Sequence, residues 1–167
     1  MRACVRPSVR VRPSSAGYLA FVEPATLHFG STFATSALLS AYDAAPSARW
    51  LDAARAYVHA NVAWLTDQLA TTLPGLVTAL PLDATYLVWL DCTGLVARLG
   101  LGAAGALATF FVDEARLCLS PGPEFDPDGA ADGCMRLNAA CPRAMLEDAV
   151  RRLQLAVQRR AAAAPNR

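Results

Sequence analysis

A single stripe of apolar residues at helical spacing constrains the fold of this chain more than any other feature. Between Ser47 and Thr72, apolar residues recur at steps of three and four positions: Leu51, Ala54, Val58, Val62, Leu65 and Leu69. This spacing predicts one long helix that is capped by Ser47 and ended by Pro74-Gly75. A stripe of that length needs a core to cover it, so we expect the other elements to pack against this helix.

Three segments have the composition of strands. Residues 84–91 are rich in aromatic and β-branched types and apolar on both faces, which predicts a central or covered strand. Residues 116–119 predict a second strand. Residues 134–139 predict a third, with Met135 and Leu137 on one face and Arg136 and Asn138 on the other.

Helical patterns separate these strands. They cover residues 31–42, 93–99 and 102–112, and Pro142 opens a last helix with arginines on its polar face. Residues 121–133 carry prolines, glycines and aspartates and predict an exposed loop. Helices that alternate with strands, a long one first and another last, predict an α/β fold built as a two-layer sandwich.

Composition and charge exclude several classes of partner. The chain has 167 residues, a net charge of +1 and no lysine, so it offers no basic tract for nucleic acid. Its longest apolar stretch, 94–112, is interrupted by Arg98, which argues against membrane insertion. We therefore expect neither a nucleic-acid nor a membrane partner, and a cytoplasmic location.

The two ends of the chain differ from the middle. Residues 1–30 form an atypical leader containing arginine, serine and proline, which we expect to be flexible. The first twenty residues have the composition of a mitochondrial presequence, so a mitochondrial location is the alternative. Residues 161–167 predict a frayed tail.

The cysteines do not predict a metal site. The five cysteines form an odd set without a C-x-x-C pair, and the two histidines lie far from them: Cys4, Cys92, Cys118, Cys134, Cys141, His28 and His59. This spacing is typical neither of a zinc site nor of a disulfide framework, so we expect reduced, mostly buried thiols. Cys118 and Cys141 have no adjacent base, and we predict no cysteine nucleophile.

Arg136 is the candidate binding residue, because it is the one charge in an otherwise apolar strand. A guanidinium in that position needs an anionic partner to offset its desolvation. The partner is either an internal acid, such as Asp91 or Glu147, or a ligand carboxylate held through two parallel hydrogen bonds. Asn138 lies two residues on, faces the same way and would extend a ligand site.

From about Phe33 to Val157 the chain resembles the C-terminal part of class I/II aminotransferase-like, fold-type I pyridoxal-phosphate (PLP) enzymes, specifically the cystathionine β-lyase or C–S lyase branch. The matching blocks occur in the family's order and with similar gaps: Ala41-Tyr42 with Trp50-Leu51-Asp52, Tyr57 with Asn61, residues 84–91, Ser120-Pro121-Gly122 through Phe125, and Met135-Arg136-Leu137-Asn138-Ala139-Ala140-Cys141-Pro142-Arg143.

The resemblance implies that residues 31–160 form the small domain of such an enzyme. That domain packs on a larger PLP-binding domain in a homodimer, and Arg136 takes the position that holds the α-carboxylate of an amino-acid substrate. Enzymes of this branch form an aldimine with the substrate, remove its α-proton and expel a sulfur leaving group, giving pyruvate, ammonia and a thiol.

The chain also departs from the family. Because it contains no lysine, it cannot hold PLP covalently, and we predict no catalytic, cofactor-binding or metal residue in it. Asp126 follows Phe125 where the family commonly has glycine. The leading hypothesis is a C-terminal fragment of a C–S β-lyase or aminotransferase that is catalytically incompetent alone. The alternatives are a non-catalytic module that docks onto an intact paralogue or a separate large domain, and an independent small-molecule-binding domain.

Overall fold

The computed structural model describes residues 31–43, 45–102, 105–126 and 128–163. The described residues fall into two units, one ending at Ala56 and one beginning at Tyr57. The predicted leader, residues 1–30, lies outside the described residues. No helix in the described ranges is both long enough and apolar enough to cross a membrane.

The first unit contains helix α1, Thr32–Asp43, and the start of helix α2, Ala45–Thr72. The helix predicted over 31–42 is thus confirmed, whereas the predicted cap at Ser47 is wrong. Helix α2 already includes Ala45 and Pro46, and the Ser47 hydroxyl donates to the Ser40 carbonyl at 3.3 Å. Proline is tolerated in a first helical turn, where its missing N–H would have no partner, so the helix begins before Pro46.

A four-stranded antiparallel sheet lies in the described part of the second unit. Its strands are β1 (Thr78–Ala79), β2 (Leu87–Asp91), β3 (Ser120–Pro121) and β4 (Cys134–Asn138), in the order β1-β2-β4-β3. Strand β2 is central, as its two apolar faces predict. Val88 pairs with Leu137 and Leu90 with Met135, and all four side chains are buried on one face of the sheet.

Helices cover that buried face and complete the core. The remaining elements are α3 (Thr93–Leu99), α4 (Ala106–Thr109), a π-helical turn (Phe110–Glu114), a 3-10 helix (Gly122–Phe125) and α5 (Arg143–Ala163). Leu65 and Leu69 of α2 join Leu146, Val150 and Leu153 of α5 in one apolar cluster with the sheet. The result is a mixed α/β fold with a small antiparallel sheet, in agreement with the predicted class.

The long apolar stripe is only partly buried. Leu65 and Leu69 are each 1% exposed, but Leu51, in the first unit, is 52% exposed. The expectation that one core covers the whole stripe is therefore wrong for its N-terminal end.

Helix α5 extends to Ala163, so the tail predicted from residue 161 begins as helix.

The strand predicted over 116–119 is wrong. The chain leaves the π-helical turn through Arg116, which has a left-handed φ of 57°, and the Leu117 N–H donates to the Phe111 carbonyl at 2.8 Å. Backbone that turns in this way is not extended, so pairing with β4 begins only at Ser120. The helix predicted from residue 102 likewise starts later, at Ala106, after Gly105 at φ 76°.

The predicted loop, 121–133, contains the 3-10 helix and a series of turns.

The described cysteines are not all in the same oxidation state. Cys92, Cys118 and Cys141 are free, as expected, whereas Cys134 is disulfide-bonded, so the prediction of reduced thiols is wrong at that position.

Candidate functional site

Arg136 lies in a row of side chains on the face of the sheet opposite the core. In the register of the sheet it pairs with Trp89 of β2 on one side and Ser120 of β3 on the other. The predicted period of two is confirmed along β4, where Met135 and Leu137 are buried, Arg136 is half-buried and Asn138 is exposed. Arg136 and Asn138 therefore share this outer face.

Among the residues that the structure describes, the guanidinium of Arg136 contacts a hydroxyl and an aromatic ring, and neither is an anion. One Nη donates to the Ser120 hydroxyl at 3.5 Å, the long limit of a hydrogen bond. The guanidinium carbon lies 3.8 Å from the centroid of the Phe125 ring, a cation–π contact. That ring in turn meets Trp89 edge to face, with centroids 5.9 Å apart and planes at 81°.

The internal ion pair considered for Arg136 is not formed. Within the described ranges no carboxylate forms an ion pair with Arg136, and this includes both Asp91 and Glu147. One oxygen of Asp91 instead accepts from the Thr93 N–H at 2.9 Å and from the Thr93 hydroxyl at 2.7 Å. The positive charge of Arg136 is consequently not neutralised by any side chain that the structure describes.

Asn138 stands beside this site with part of its side chain engaged. Its Oδ1 accepts from the Ala140 N–H at 2.8 Å and closes the turn that follows β4. The carboxamide oxygen thus has a structural partner, and the amide nitrogen is the group that Asn138 would offer to a ligand.

Arg143, seven positions after Arg136, in contrast has several internal partners. Its Nε donates to Asn61 Oδ1 at 2.9 Å and one Nη donates to the Ala60 carbonyl at 2.8 Å. Its backbone N–H donates to the Tyr57 hydroxyl at 2.8 Å, and its guanidinium carbon lies 4.9 Å from the centroid of the Trp64 ring. This arginine fixes the start of α5 against α2.

Asn61 is the centre of the same network and is completely buried. Its Nδ2 donates to the Ala139 carbonyl at 3.0 Å and to the Cys141 carbonyl at 2.9 Å, directly after β4. Sequence reasoning assigned no role to Asn61 beyond its place in a matching block. The available signal was one amide within an apolar helix face, which requires buried hydrogen-bond partners.

The free cysteines differ in their exposure. Cys118 is exposed rather than buried, against expectation, and Cys141 is half-buried. Burial raises the pKa of the Cys141 thiol, and burial together with the Asp91 charge raises the pKa of Cys92 to about 12. A raised pKa lowers the fraction of the thiol that is present as the nucleophilic thiolate. In the described ranges no three metal-ligating side chains cluster.

Comparison with known proteins finds relatives of this chain. No family profile matches the chain. The chain is 35% identical over 127 residues to cystathionine beta-lyase PatB of Bacillus subtilis, an alignment that covers 76% of this chain and 30% of the relative. It also superposes on the PLP-bound C–S lyase of Staphylococcus hominis with a TM-score of 0.69 and 26% identity, covering 84% of this chain and 35% of that one.

The chain is homologous to a C-terminal portion of cystathionine β-lyases and C–S lyases. A PLP-bound putative aminotransferase from Clostridium difficile superposes with a TM-score of 0.71 at 25% identity, covering 87% of this chain and 36% of that structure. The chain spans about a third of the length of these family members and corresponds to a C-terminal portion of them.

This chain has no side chain that could bind PLP covalently. The family's solved structures carry the cofactor, but this sequence has no lysine and hence no side-chain primary amine to bond its aldehyde. The outer face of the sheet presents a guanidinium, a hydroxyl and two aromatic rings. These groups suit recognition of a small anion better than attachment of a cofactor.

Proposed function

We propose that this chain supplies the α-carboxylate anchor of a PLP-dependent C–S β-lyase that acts on amino acids, with Arg136 as the anchor. The observation that carries the proposal is the half-buried guanidinium of Arg136, which has a hydroxyl and an aromatic ring as neighbours but no anion in the described ranges. Similarity to a cystathionine β-lyase and a C–S lyase supports an amino-acid substrate.

The guanidinium binds a carboxylate through shape as well as charge. Its N–H groups lie in one plane and donate two parallel hydrogen bonds to the two carboxylate oxygens. The Phe125 ring covers one face of that plane, so the carboxylate approaches along the open edge. The amide nitrogen of Asn138, on the same face, is a further donor. The chain thus orients the substrate and transfers no proton itself.

The chain alone is expected to have no lyase activity. It lacks an amine for the cofactor, so catalysis requires a larger PLP-binding domain, in the same polypeptide or another, and a homodimer is the assembly we propose. Purified chain incubated with PLP and cystathionine should release no pyruvate above a protein-free control in a coupled assay. Pyruvate release that depends on the chain would contradict this part of the proposal.

Binding of acetate and L-alanine to the chain tests the anchor directly. In ¹⁵N-labelled protein, the Nε–Hε signal of Arg136 should shift on titration, and Arg136→Ala should raise the dissociation constant at least about tenfold, the cost of one charge-assisted bidentate contact. Arg136→Lys keeps the charge but not the fork and should bind with intermediate affinity.

Arg98→Ala is the matched control, because it removes the same charge from an exposed helix position. It should leave the dissociation constant unchanged. Equal weakening in Arg98→Ala and Arg136→Ala would mean that the effect comes from net charge, and the proposed anchor would be abandoned.

A second candidate function, an interaction module that docks onto an intact relative, is favoured by the surface of the first unit. Phe33, Tyr42 and Trp50 are 88%, 84% and 72% exposed, an unusual surface for a free domain. Light scattering on a mixture of this chain with intact PatB of Bacillus subtilis tests docking. A stable mixed complex, absent when the three aromatic residues are replaced by serine, would support it, and two separate species would oppose it.

A further inference from the structure

We infer that Phe125 is a positioning and specificity-determining residue, whose ring fixes the plane of the Arg136 guanidinium so that the site selects planar carboxylates over tetrahedral anions. The inference rests on the proposed function of Arg136 and extends it.

Phe125 reaches Arg136 from outside the strands. It ends the 3-10 helix Gly122–Phe125, directly after β3, and its ring stacks 3.8 Å from the guanidinium carbon. The residue is 43% exposed, so burial in the core does not explain its place. Its described ring contacts are with Arg136 and Trp89, both on the outer face of the sheet.

Trp89 sets the orientation of the Phe125 ring. It lies on the central strand β2, directly opposite Arg136 in the register, and meets the Phe125 ring at 81°. An edge-to-face pair of this kind is favoured by the charge distribution of aromatic rings. Because Trp89 is carried by a strand that is paired on both sides, it gives the ring a rigid support.

The backbone before Phe125 is also fixed in position. A Cβ on Gly122 would lie 2.2 Å from the Ala131 carbonyl oxygen and 2.9 Å from the Cys134 carbonyl oxygen. The 3-10 helix therefore packs directly against backbone at the start of β4, the strand that carries Arg136. The segment that carries the Phe125 ring is thus in direct contact with the strand that carries the Arg136 guanidinium.

A guanidinium that is held in one plane treats anions differently according to shape. A planar carboxylate places both oxygens in the plane of the fork, whereas a tetrahedral sulfonate has at least one oxygen outside it. The Phe125 ring covers one face of the guanidinium. A sulfonate oxygen that points out of the plane on that side therefore finds neither a hydrogen-bond donor nor a water molecule. Without the ring, the flexible arginine side chain can rotate to suit either anion.

The test compares acetate with methanesulfonate, which carry the same charge on similar volumes, in wild type, Phe125→Leu and Phe125→Tyr. The readout is the ¹⁵N–¹H signal of Arg136 Nε. In Phe125→Leu we expect loss of the ring-current shift of this signal, a roughly fivefold weaker acetate affinity and a smaller preference for acetate over methanesulfonate. Phe125→Tyr keeps the ring and should restore all three.

Phe33→Leu is the control, since it makes the same substitution at another exposed phenylalanine, in the first unit, and it should change none of the three readouts. If Phe125→Leu does not fold, Phe125→Met is measured in its place against the same criteria. Unchanged affinity and unchanged anion preference in the ring-less variant would overturn the inference and leave Arg136 as the anchor. Acetate-induced shifts of the Trp89 and Ser120 backbone amide signals, on the two neighbours of Arg136 in the sheet, that persist unchanged in Arg136→Ala would overturn the proposed function as well.

Discussion

Arg136 and Arg143 lie seven positions apart but have different neighbours, and a few contacts account for the difference. Arg143 is held by a buried amide, a main-chain carbonyl and a tryptophan ring, so its charge serves the fold. Arg136 has a weakly bound hydroxyl and a phenylalanine ring. The sequence predicts the face on which Arg136 lies, because a strand alternates with period two. It does not predict Phe125 as its neighbour, since that contact depends on how a loop folds back over the sheet.

Asn61 is predicted to be the most sensitive polar residue of the second unit. Asn61→Ala removes three hydrogen bonds from a fully buried position and leaves Arg143 and two carbonyls short of partners, so we expect a loss of about 3 kcal/mol in the free energy of unfolding. Urea denaturation followed by circular dichroism measures it. Asn138→Ala is the control and should cost less than about 1 kcal/mol, because its one hydrogen bond is exposed. Similar losses in both variants would show that burial is not the cause.

Cys92 and Cys118 should differ in reactivity. Burial and the Asp91 charge raise the pKa of Cys92 to about 12, whereas Cys118 is exposed. At pH 8 iodoacetamide should modify Cys118 within minutes and spare Cys92 in the folded protein, as read by peptide mass spectrometry. Because the unfolded thiol ionises near 9.0 and the folded one near 12, Cys92 should also lower the free energy of unfolding as the pH rises through that interval. Rapid native modification of Cys92 would contradict the burial seen here.

At the scale of elements, strand length decides what could be predicted. Strands β2 and β4 have five residues each. The continuous apolar run of β2 and the alternation of β4 predict both strands to within three residues at every end. Strands β1 and β3 have two residues each, too few for any period to emerge, and they are defined by their partners in the sheet. The predicted start of α2 is wrong because the helix includes Pro46 in its first turn. The strand predicted over 116–119 is wrong because Arg116 has a left-handed backbone conformation. Composition alone predicts neither conformation.

The contact between α3 and the turn after α2 depends on a glycine. A Cβ on Gly94 would lie 1.9 Å from the Gly75 carbonyl oxygen, a backbone atom that cannot move aside. Gly94→Ala should therefore lower the free energy of unfolding by about 3 kcal/mol or more, by the overpacking seen in filled interiors. Gly102→Ala is the matched control, since nothing lies within 4 Å of its added carbon. Thermal melts of the two variants give the comparison, and equal melting temperatures would mean that the helix shifts freely.

At the scale of the whole molecule, exposed aromatic residues dominate the behaviour that we expect in solution. Those of the first unit, Phe33, Tyr42 and Trp50, are each more than two-thirds exposed, whereas the second unit buries a continuous core. Apolar surface of this kind promotes association. The second unit holds the candidate site, whereas the most exposed aromatic side chains of the described residues lie in the first unit.

Self-association of the chain should depend on these three residues. Light scattering over a range of concentrations should show a rising mean mass for the wild type, and replacing Phe33, Tyr42 and Trp50 by serine should reduce that rise strongly. A control variant replaces three exposed apolar residues of the second unit by serine: Val112, Met145 and Leu155. If the control reduces association as much, the effect is general hydrophobicity and not the first unit.

The order of the strands has a consequence for how the chain acquires its structure during synthesis. Strand β4 is last in sequence among the described strands, yet it lies between β2 and β3 and supplies five of the paired positions of β2, against two from β1. When a nascent chain has emerged from the ribosome only as far as residue 133, β4 is not yet available. The edge of β2 that pairs with β4 then has no partner strand, and neither has β3. The sheet, and with it the Arg136 site, can therefore assemble only after translation has passed residue 138.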